Sequence, residues 1–410
     1  MINTIVVDLT PILPGGENGG GKIFTLELIR RLADIHRETK FILLTQAASH
    51  DELAIMDRAN IRRLMVLGSQ ETKTIASLHS GWTVWIVSRL PGRVKGKLRR
   101  IYHLLKKLFR PKHPGSILKR MGANLLYCPF TDPTYSEKGI PTVCTIYDLQ
   151  YKTYPQFFSE EEVAHRDRTF AEACHKATVL VAISNYSRDS AITHGGLDPK
   201  QVKTIYLQLA SRVCDKVIND VSLLDHLGLI SQNYLIYPAN FWKHKNHEML
   251  LTAFALACQK GLDPNIKLIC TGAPGDRQLW LSKASRSMNL TDRILFPGYV
   301  SDTELSALMS NCIGVIFPSL YEGFGIPTIE AMASGVPVAC SNTTSLPEVV
   351  GDAALLFDPR VPDQIAQAII SLVTDGKLRF RLVQAGYLRA KEFSDGDRMA
   401  REYWDLFREP

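Results

Sequence analysis

The chain has 410 residues, of which 45% are hydrophobic and 22% are charged, and its formal net charge is +7. This length suits two domains better than one core, and the composition excludes extended disorder. No stretch approaches the roughly 20 apolar residues of a membrane span, and Asp8 interrupts the first apolar run, so we expect neither a span nor an N-terminal signal. The eight cysteines form no C-x-x-C pair, which favours a reducing cytoplasm over disulfides or zinc.

The positive charge is concentrated in one segment. Residues 89–120 contain 12 Lys or Arg and no Asp or Glu, which leaves the rest of the chain with a net charge of −5. Leucines recur there at helical spacing, so 93–112 is predicted to form a basic amphipathic helix. Three interpretations remain open: an anionic membrane surface, a nucleic-acid patch, or a solvated face over a local core. Nucleic acid is disfavoured because no aromatic platform interleaves the charges.

The N-terminal half alternates strands and helices. Residues 2–9 predict a buried strand, a glycine-rich loop follows, and a helix is expected from about Lys22 to Ala33. The glycine spacing is not G-x-G-x-x-G, so a dinucleotide site is a weak prediction there. The further strands expected in this half are 40–45, 61–67, 124–128, 141–147, 178–183 and 202–206. Such alternation predicts an α/β fold with a parallel sheet covered on both faces. Ser184 is interpreted as a helix N-cap.

A second alternating series begins at 234–238, after a connection expected between about 207 and 233. A helix is predicted from about 246 to 259, and it puts Lys245 near a helix N-terminus. A lysine is electrostatically unfavourable at that end of the helix dipole unless an anion binds between them. Further strands are expected at 266–271 and 293–296. The second half is therefore also predicted to be a Rossmann-like α/β domain.

Residues 313–340 are the most informative stretch. The run Ile313–Phe317 predicts a buried strand, Pro327 suits the start of a short helix, and Gly335 ends that helix before a strand restarts at Val336. A strand–loop–helix unit puts backbone N–H groups and the positive end of a helix dipole at one sheet edge, which favours phosphate binding.

Two carboxylates flank this predicted phosphate loop. Glu322 precedes its glycines and Glu330 lies on the following helix, with seven residues between them. Carboxylates repel phosphate but accept hydrogen bonds from hydroxyls, so the pattern suits a diphosphate with a sugar at each end. The alternative is an exposed loop acid at Glu322 and a helix-dipole partner at Glu330.

The stretch Glu322-Gly-Phe-Gly-Ile-Pro-Thr-Ile-Glu330 resembles the E-x7-E signature of the retaining glycosyltransferases of family 4, which have the GT-B fold. The resemblance extends over essentially the whole chain. It implies two Rossmann-like domains facing across a cleft, with a C-terminal helix returning to the first domain. The domains would be 1–207 for the acceptor, a linker at 208–232, 233–390 for the nucleotide-sugar, and the returning helix at 391–410.

The resemblance also implies roles for individual residues. Glu330 would hold the donor ribose, Glu322 would contact the transferred sugar, and Lys245 would contact the diphosphate. The catalytic residues implied are Lys245, Glu322 and Asp148. The donor-binding residues implied are Glu330, Gly323, Phe324, Gly325, Ile326, Asn240, Tyr147, Gly20, Gly21 and Tyr299. Gly19 belongs with Gly20 and Gly21 to a loop that in the family lies near donor phosphates and acceptor.

The chain departs from the family at two positions. Tyr147 stands where a histidine near the donor sugar is usual, so either the phenol replaces its hydrogen bond or the sugar is a 6-deoxy sugar. Asn240 replaces an arginine, which removes one positive charge, and Lys243 and His244 are candidates to compensate. No cofactor is expected, and no metal. Asp395-Gly-Asp397 spells a manganese signature of another glycosyltransferase fold, but it follows no apolar strand and is interpreted as chance.

The resemblance predicts a hexosyltransferase, with mannose from GDP-mannose as the first donor because 238–242 and 244–247 resemble mannosyltransferases of bacterial surface polysaccharide assembly. The expected partners are a nucleotide-sugar donor and a glycan acceptor, lipid-linked if 93–112 lies on a membrane, with no nucleic acid. The expected place is the cytoplasm or the inner face of its membrane. The alternatives are a UDP-sugar or 6-deoxy donor, a sugar-nucleotide epimerase, and a non-catalytic GT-B partner protein.

Overall fold

The computed structural model describes residues 2–15, 19–68, 117–209 and 222–410. The basic helix predicted at 93–112 lies outside the described residues, as does part of the predicted linker 208–232. In the part of the chain that the structure describes, no helix combines the length and the apolarity needed to cross a bilayer.

Two parallel sheets are formed by the described residues. The first has seven strands in the order β3-β2-β1-β4-β5-β6-β7. Its strands are β1 Thr4–Asp8, β2 Lys40–Gln46, β3 Ile61–Leu67, β4 Leu125–Cys128, β5 Thr142–Ile146, β6 Val179–Ala182 and β7 Val202–Thr204. Ile5 pairs in parallel with Phe41 on one side and with Leu125 on the other. The prediction of a parallel sheet is confirmed.

The second sheet has six strands in the order β10-β9-β8-β11-β12-β13. Its strands are β8 Tyr234–Pro238, β9 Lys267–Thr271, β10 Ile294–Gly298, β11 Gly314–Phe317, β12 Val338–Ser341 and β13 Ala354–Phe357. Strand β13 has no counterpart among the predicted strands. Its sequence, Ala-Leu-Leu-Phe, is an apolar run like those of the other strands, but because it lies at the sheet edge only Phe357 is fully buried.

Helices separate most of the strands. They are α1 Gly19–Ile35, α2 Ala47–His50, α3 Ile117–Arg120, α4 Gln150–Thr153, α5 Glu160–Lys176, α6 Asn185–Gly195, α7 Ser222–His226, α8 His247–Gln259, α9 Asp276–Ser287, α10 Asp302–Asn311, α11 Ile326–Ala333, α12 Leu346–Val350, α13 Pro362–Thr374, α14 Gly376–Lys391 and α15 Arg398–Arg408. Helix α1 begins at Gly19, three residues before the predicted start. Ser184 caps α6 by accepting a hydrogen bond from the Ser187 N–H, as predicted.

The described chain divides into two compact units. Unit 1 comprises Met1–Thr145, Thr169–Leu180 and Trp404–Pro410, and unit 2 comprises Ile146–Arg168 and Val181–Tyr403. Within unit 1, the Trp404 ring stacks on His36 with centroids 3.5 Å apart, and Phe407 packs against Tyr127 at 5.3 Å. The end of the chain, Trp404–Pro410, therefore belongs to the same compact unit as strands β1 to β4, and the predicted domain boundaries stay a prediction.

A buried carboxyl ends the first strand of unit 1. Asp8 is 1% exposed, and its Oδ1 accepts hydrogen bonds from the Thr10 N–H at 3.0 Å and the Thr10 hydroxyl at 2.7 Å. Its Oδ2 has no hydrogen-bond partner among the described residues. Burial raises the pKa of Asp8 to about 7, the Thr10 bonds oppose that rise, and the charge of Asp132 adds to it.

This raised pKa predicts a pH-dependent stability that Asp8→Asn should remove. Because folding raises the pKa of Asp8, its contribution to stability is complete below the unfolded pKa of about 4 and is lost as pH rises through 7. The wild-type free energy of unfolding should therefore fall relative to Asp8→Asn by about 2 to 3 kcal/mol between about pH 5 and pH 8. Urea titrations of both proteins across this range measure the difference. Parallel pH profiles would assign the titration to another group.

Candidate functional site

The structure brings two of the predicted catalytic residues together in unit 2. The Nζ of Lys245 lies 2.6 Å from the Oε1 of Glu322, and the two side chains are only 12% and 11% exposed. The ammonium also lies 5.3 Å from the centre of the Phe317 ring. A pair so shielded from water interacts more strongly than a surface pair, and each charge depends on the other.

The backbone at Lys245 is held from strand β8. The hydroxyl of Tyr237 donates to the Lys245 carbonyl at 2.8 Å. Asn246 follows in the left-handed conformation, with φ of 61°, and its side chain donates to the carbonyls of Pro318 and Pro359 at 3.0 and 2.8 Å. Asparagine tolerates this conformation better than most residues. The turn therefore fixes Lys245 immediately before α8, as the sequence predicted.

Glu322 is held by the loop that follows strand β12. The Glu322 N–H donates to the Thr344 hydroxyl at 3.1 Å, and the Ser345 hydroxyl donates to the Glu322 carbonyl at 2.9 Å. Thr344 has a positive φ of 57°, a costly conformation for a β-branched residue. This loop was not predicted to belong to the site, and its contact with Glu322 depends on the neighbouring strands β11 and β12.

Gly323 lies against the backbone of Tyr147. A Cβ at position 323 would stand 2.1 Å from the Tyr147 carbonyl oxygen, so only glycine permits this approach. The Ser187 hydroxyl is 3.3 Å from the carbonyl oxygens of both Tyr147 and Gly323, to either of which it can donate. The structure therefore joins Tyr147, which the sequence placed at a strand end, to the predicted phosphate loop through main-chain contacts.

The rest of the loop starts helix α11. Gly325 has a φ of 101° and directly precedes the helix, and Ile326 is its first residue. Phe324 is 3% exposed and packs against Phe393 and Tyr206, with ring centroids 5.5 and 6.1 Å apart. No acidic residue occupies the first turn of α11, so its dipole is not offset there. This is the anion-favouring arrangement that the sequence predicted.

Glu330 lies on the same helix but is almost fully buried, with 1% of its surface exposed. A ribose would therefore have to reach a carboxylate that the surrounding side chains shield. Its assigned role as the ribose ligand remains a prediction.

Asp148 is partly buried at the position following Tyr147. Its Oδ1 accepts a hydrogen bond from the Gln150 N–H at 3.0 Å. Burial raises the pKa of Asp148, the Gln150 bond and Arg166 oppose the rise, Glu322 adds to it, and Lys245 lowers it. Glu322 and Lys245 therefore both act electrostatically on Asp148.

Asn240 stands where the resembled family has an arginine, and His244 does not supply the missing positive charge. Burial, together with the charge of Lys245, lowers the pKa of His244 to about 2, so its imidazole is neutral at physiological pH. Lys243 is exposed. The Oδ1 of Asn240 accepts a hydrogen bond from the Ala273 N–H at 2.9 Å, which ties together the ends of strands β8 and β9.

Three predicted donor-binding residues remain to be described. Tyr299 follows strand β10 and is 74% exposed. Gly20 and Gly21 belong to unit 1, and they lie in the first turn of α1 rather than in a loop before it. The loop prediction at Gly19 to Gly21 is therefore corrected: the helix continues through all three glycines.

Glu348 is a further residue of this region that the sequence analysis missed. Its carboxylate accepts hydrogen bonds from the N–H groups of Asn185 and Tyr186 at 2.6 and 3.0 Å and from the Tyr206 hydroxyl at 2.7 Å. It thus binds the N-terminus of α6, the helix that carries Ser187. Acids are favoured at helix N-termini. This contact could not be recognised in the sequence, because Glu348 and Asn185 are 163 residues apart.

The expectation that no metal is bound stays a prediction. Within the described ranges, no three His, Cys, Asp or Glu side chains are grouped as metal ligands. Asp395 precedes the last helix, α15, and its Oδ1 accepts hydrogen bonds from the N–H groups of Asp397 and Arg398.

Comparison with known proteins shows what the chain is similar to. Residues 229–389 match the family Glycosyl transferases group 1. The chain is 29% identical over 380 residues to the O-antigen chain mannosyltransferase B of Escherichia coli, covering 90% of this chain and 91% of that protein. It is 26% identical over 246 residues to the O-antigen chain mannosyltransferase RfbU of Salmonella typhimurium, covering 59% and 64%.

Solved structures support the same fold. HepE of Anabaena, crystallised with UDP and glucose, aligns over 100% of both chains with a TM-score of 0.70 and 17% identity. WaaG, a glycosyltransferase of lipopolysaccharide biosynthesis, aligns over 99% of this chain and 100% of its own with a TM-score of 0.68 and 15% identity. The two parallel sheets and these comparisons identify the chain as a glycosyltransferase of the GT-B fold, whose residues 229–389 match the glycosyl transferases group 1 family.

Proposed function

We propose that the protein transfers a hexose, with mannose from GDP-mannose as the first candidate, to a glycan acceptor with retention of configuration at the anomeric carbon. The supporting observation from the structure is the buried Lys245–Glu322 pair beside the start of α11. The names of the relatives, which are O-antigen mannosyltransferases, support mannose and a role in polysaccharide, O-antigen or exopolysaccharide biosynthesis.

The chemistry follows from the charges in this group. The bond between the sugar C1 and the diphosphate breaks, and negative charge develops on the departing phosphate. Lys245 and the backbone N–H groups around Gly323 to Ile326 would stabilise that charge where water is scarce. The acceptor hydroxyl forms the new bond to C1, and its proton passes to the leaving phosphate. No metal is required by this scheme, because Lys245 supplies the positive charge.

The Lys245–Glu322 pair also suggests how the site binds a donor. In the structure Glu322 neutralises Lys245 at 2.6 Å. A bound diphosphate would take over part of that interaction, which would leave Glu322 able to accept hydrogen bonds from the transferred sugar. The pair thus keeps either charge from being buried alone before the donor binds.

A ligand panel tests the donor class. The purified protein is heated with GDP, UDP, ADP or dTDP without added metal. A nucleotide present at about 100 times its Kd should add about 2.7 kcal/mol of stability. A shift with GDP alone supports a guanosine donor, and a shift with UDP alone would replace it by a uridine donor. Absence of any shift would favour a non-catalytic partner protein.

Turnover then separates a transferase from an epimerase. With GDP-mannose and a mannose-containing lipid-linked glycan, a transferase should release GDP and lengthen the glycan, and proton NMR of the product reports its anomeric configuration. Release of free sugar without an acceptor would instead indicate the epimerase. Action at the inner face of the cytoplasmic membrane and a lipid-linked acceptor belong to this proposal.

Glu330→Ala should weaken nucleotide binding. If Glu330 holds the ribose, losing a hydrogen bond to a charged acceptor costs about 1.5–3 kcal/mol, roughly 10- to 150-fold in Kd. Titration calorimetry with the nucleotide selected by the panel measures this change. Glu161→Ala, at an exposed acid of unit 2, is the matched control. An unchanged Kd for Glu330→Ala with an intact fold would contradict the ribose role.

A further inference from the structure

Helix α14, Gly376–Lys391, exposes an unusual face. Its large exposed apolar side chains are Phe380, Leu388 and Tyr387, at 69%, 72% and 49% exposure. Lys377, Arg381 and Lys391 are also exposed. At 100° per residue, these six positions fall within one arc of about 120°. The face thus alternates large apolar groups with cations.

The opposite face of α14 is firmly packed. Leu382, Gly386 and Ala390 are its buried positions. A Cβ on Gly386 would lie 3.2 Å from the Met332 Cγ of helix α11, so the two helices approach closely. The outward direction of Phe380 and Leu388 is therefore set by this packing, and the helix cannot turn them inward without losing its buried face.

The charge of the helix has one sign. Residues 376–391 contain five Lys or Arg and no Asp or Glu. Arg379 donates to the carbonyls of Leu372 and Val373, and Arg389 donates to those of Val349 and Glu348. These two arginines therefore hold neighbouring backbone segments in the fold. The cations of the exposed face are the other three.

The two acids that flank α14 in the sequence are engaged elsewhere. Asp375 caps the helix by accepting from the Leu378 N–H at 2.9 Å, and Glu392 pairs with Arg389 at 2.5 Å. Neither belongs to the arc that holds Lys377, Arg381 and Lys391, so the exposed face keeps its positive charge.

We propose that the exposed face of α14 binds the surface of a membrane that contains anionic phospholipids. The three cations match the lipid phosphates, and Phe380 and Leu388 are long enough to enter the boundary between headgroups and acyl chains. Lysine and arginine suit this combination because their apolar stems lie along the lipid while their charges stay in water. Each exposed apolar group alone would be unremarkable, but three on one basic face form a patch.

A second copy of the chain fits this face less well. A two-fold symmetric contact places the same patch on both partners, so the three cations of one copy would meet the three of the other. Like charges brought together in an interface oppose association. A surface rich in phosphate groups neutralises them instead.

Vesicle sedimentation of the full-length protein, without donor or acceptor, tests this surface independently of transferase activity. Vesicles of phosphatidylcholine alone are compared with vesicles that also contain phosphatidylglycerol. Segment 93–112 is left unchanged in every variant. The wild type should bind only the anionic vesicles, and its binding should weaken as salt is added.

Two sets of substitutions separate charge from apolar insertion. Lys377→Gln with Arg381→Gln and Lys391→Gln should weaken binding roughly 100-fold, since each cation contributes about 5-fold near an anionic surface. Phe380→Ser with Leu388→Ser should weaken it at least about 10-fold. The charge-matched control is Lys138→Gln with Lys200→Gln and Lys203→Gln, at exposed positions. The apolar control is Ile230→Ser with Leu279→Ser, whose side chains are 69% and 61% exposed.

The proposal fails under three outcomes. Wild-type protein that stays in the supernatant with anionic vesicles would exclude a membrane role. Equal binding by the wild type and both α14 variants would assign membrane binding to another part of the chain. A dimer in size-exclusion chromatography that Phe380→Ser with Leu388→Ser dissociates would make the face a self-association surface.

Discussion

Lys245→Ala should lower kcat/KM for transfer about 10- to 150-fold, which corresponds to losing a charge-assisted contact of about 1.5–3 kcal/mol. The lysine is expected to act on the departing diphosphate, and the substitution also leaves Glu322, with a side chain 11% exposed, without its cation. An acid buried without a partner is costly and repels an incoming phosphate. Steady-state kinetics with the donor selected by the panel measure the loss.

Two companion variants isolate the charge of Lys245. Lys245→Met keeps an apolar stem near Phe317 and removes only the ammonium, so it should lose as much activity as the alanine variant. Lys243→Ala removes a neighbouring exposed lysine and should stay near wild type. Full activity in both Lys245 variants would remove this residue from the donor site.

Gly323→Ala should abolish most of the activity, with an expected loss of more than about 100-fold. A Cβ at this position would lie 2.1 Å from the Tyr147 carbonyl oxygen, a distance that forces the phosphate loop or the Tyr147 backbone to move. Misplacing a substrate-binding group by about 1 Å can cost roughly 100-fold in rate. Donor affinity by calorimetry and turnover by GDP release should fall together.

Gly376→Ala is the matched glycine control for this prediction. Its nearest neighbour would be the Arg379 Nη2 at 3.7 Å, and its backbone conformation is not left-handed, so alanine is accommodated and should raise stability by about 0.4–1 kcal/mol. Circular dichroism and the unfolding midpoint of Gly323→Ala show whether the change stays local. Wild-type activity in Gly323→Ala would mean that the loop does not position the donor.

The sequence alone determined most of the architecture. Twelve of the strands in the described residues coincide with predicted strands. The central ones could be predicted because a strand covered on both faces is apolar throughout and is bounded by turns. Ser184 could be recognised as a helix cap because its hydroxyl accepts a hydrogen bond within the first turn of its own helix. The Glu322 to Glu330 stretch predicted a candidate site because its residues are close in sequence.

Tertiary structure alone decided how that site is held and charged. The Lys245–Glu322 pair joins residues 77 positions apart, and the Glu348 contact joins residues 163 apart. No local pattern encodes such contacts, because they depend on which strands become neighbours in the sheet. The neutrality of His244 likewise follows from burial. The requirement for glycine at position 323 follows from the Tyr147 carbonyl, which is distant in sequence but close in the fold. The sequence supplied the chemical groups, whereas packing set their distances and their solvation, and these two quantities fix the strength of every charge in the site.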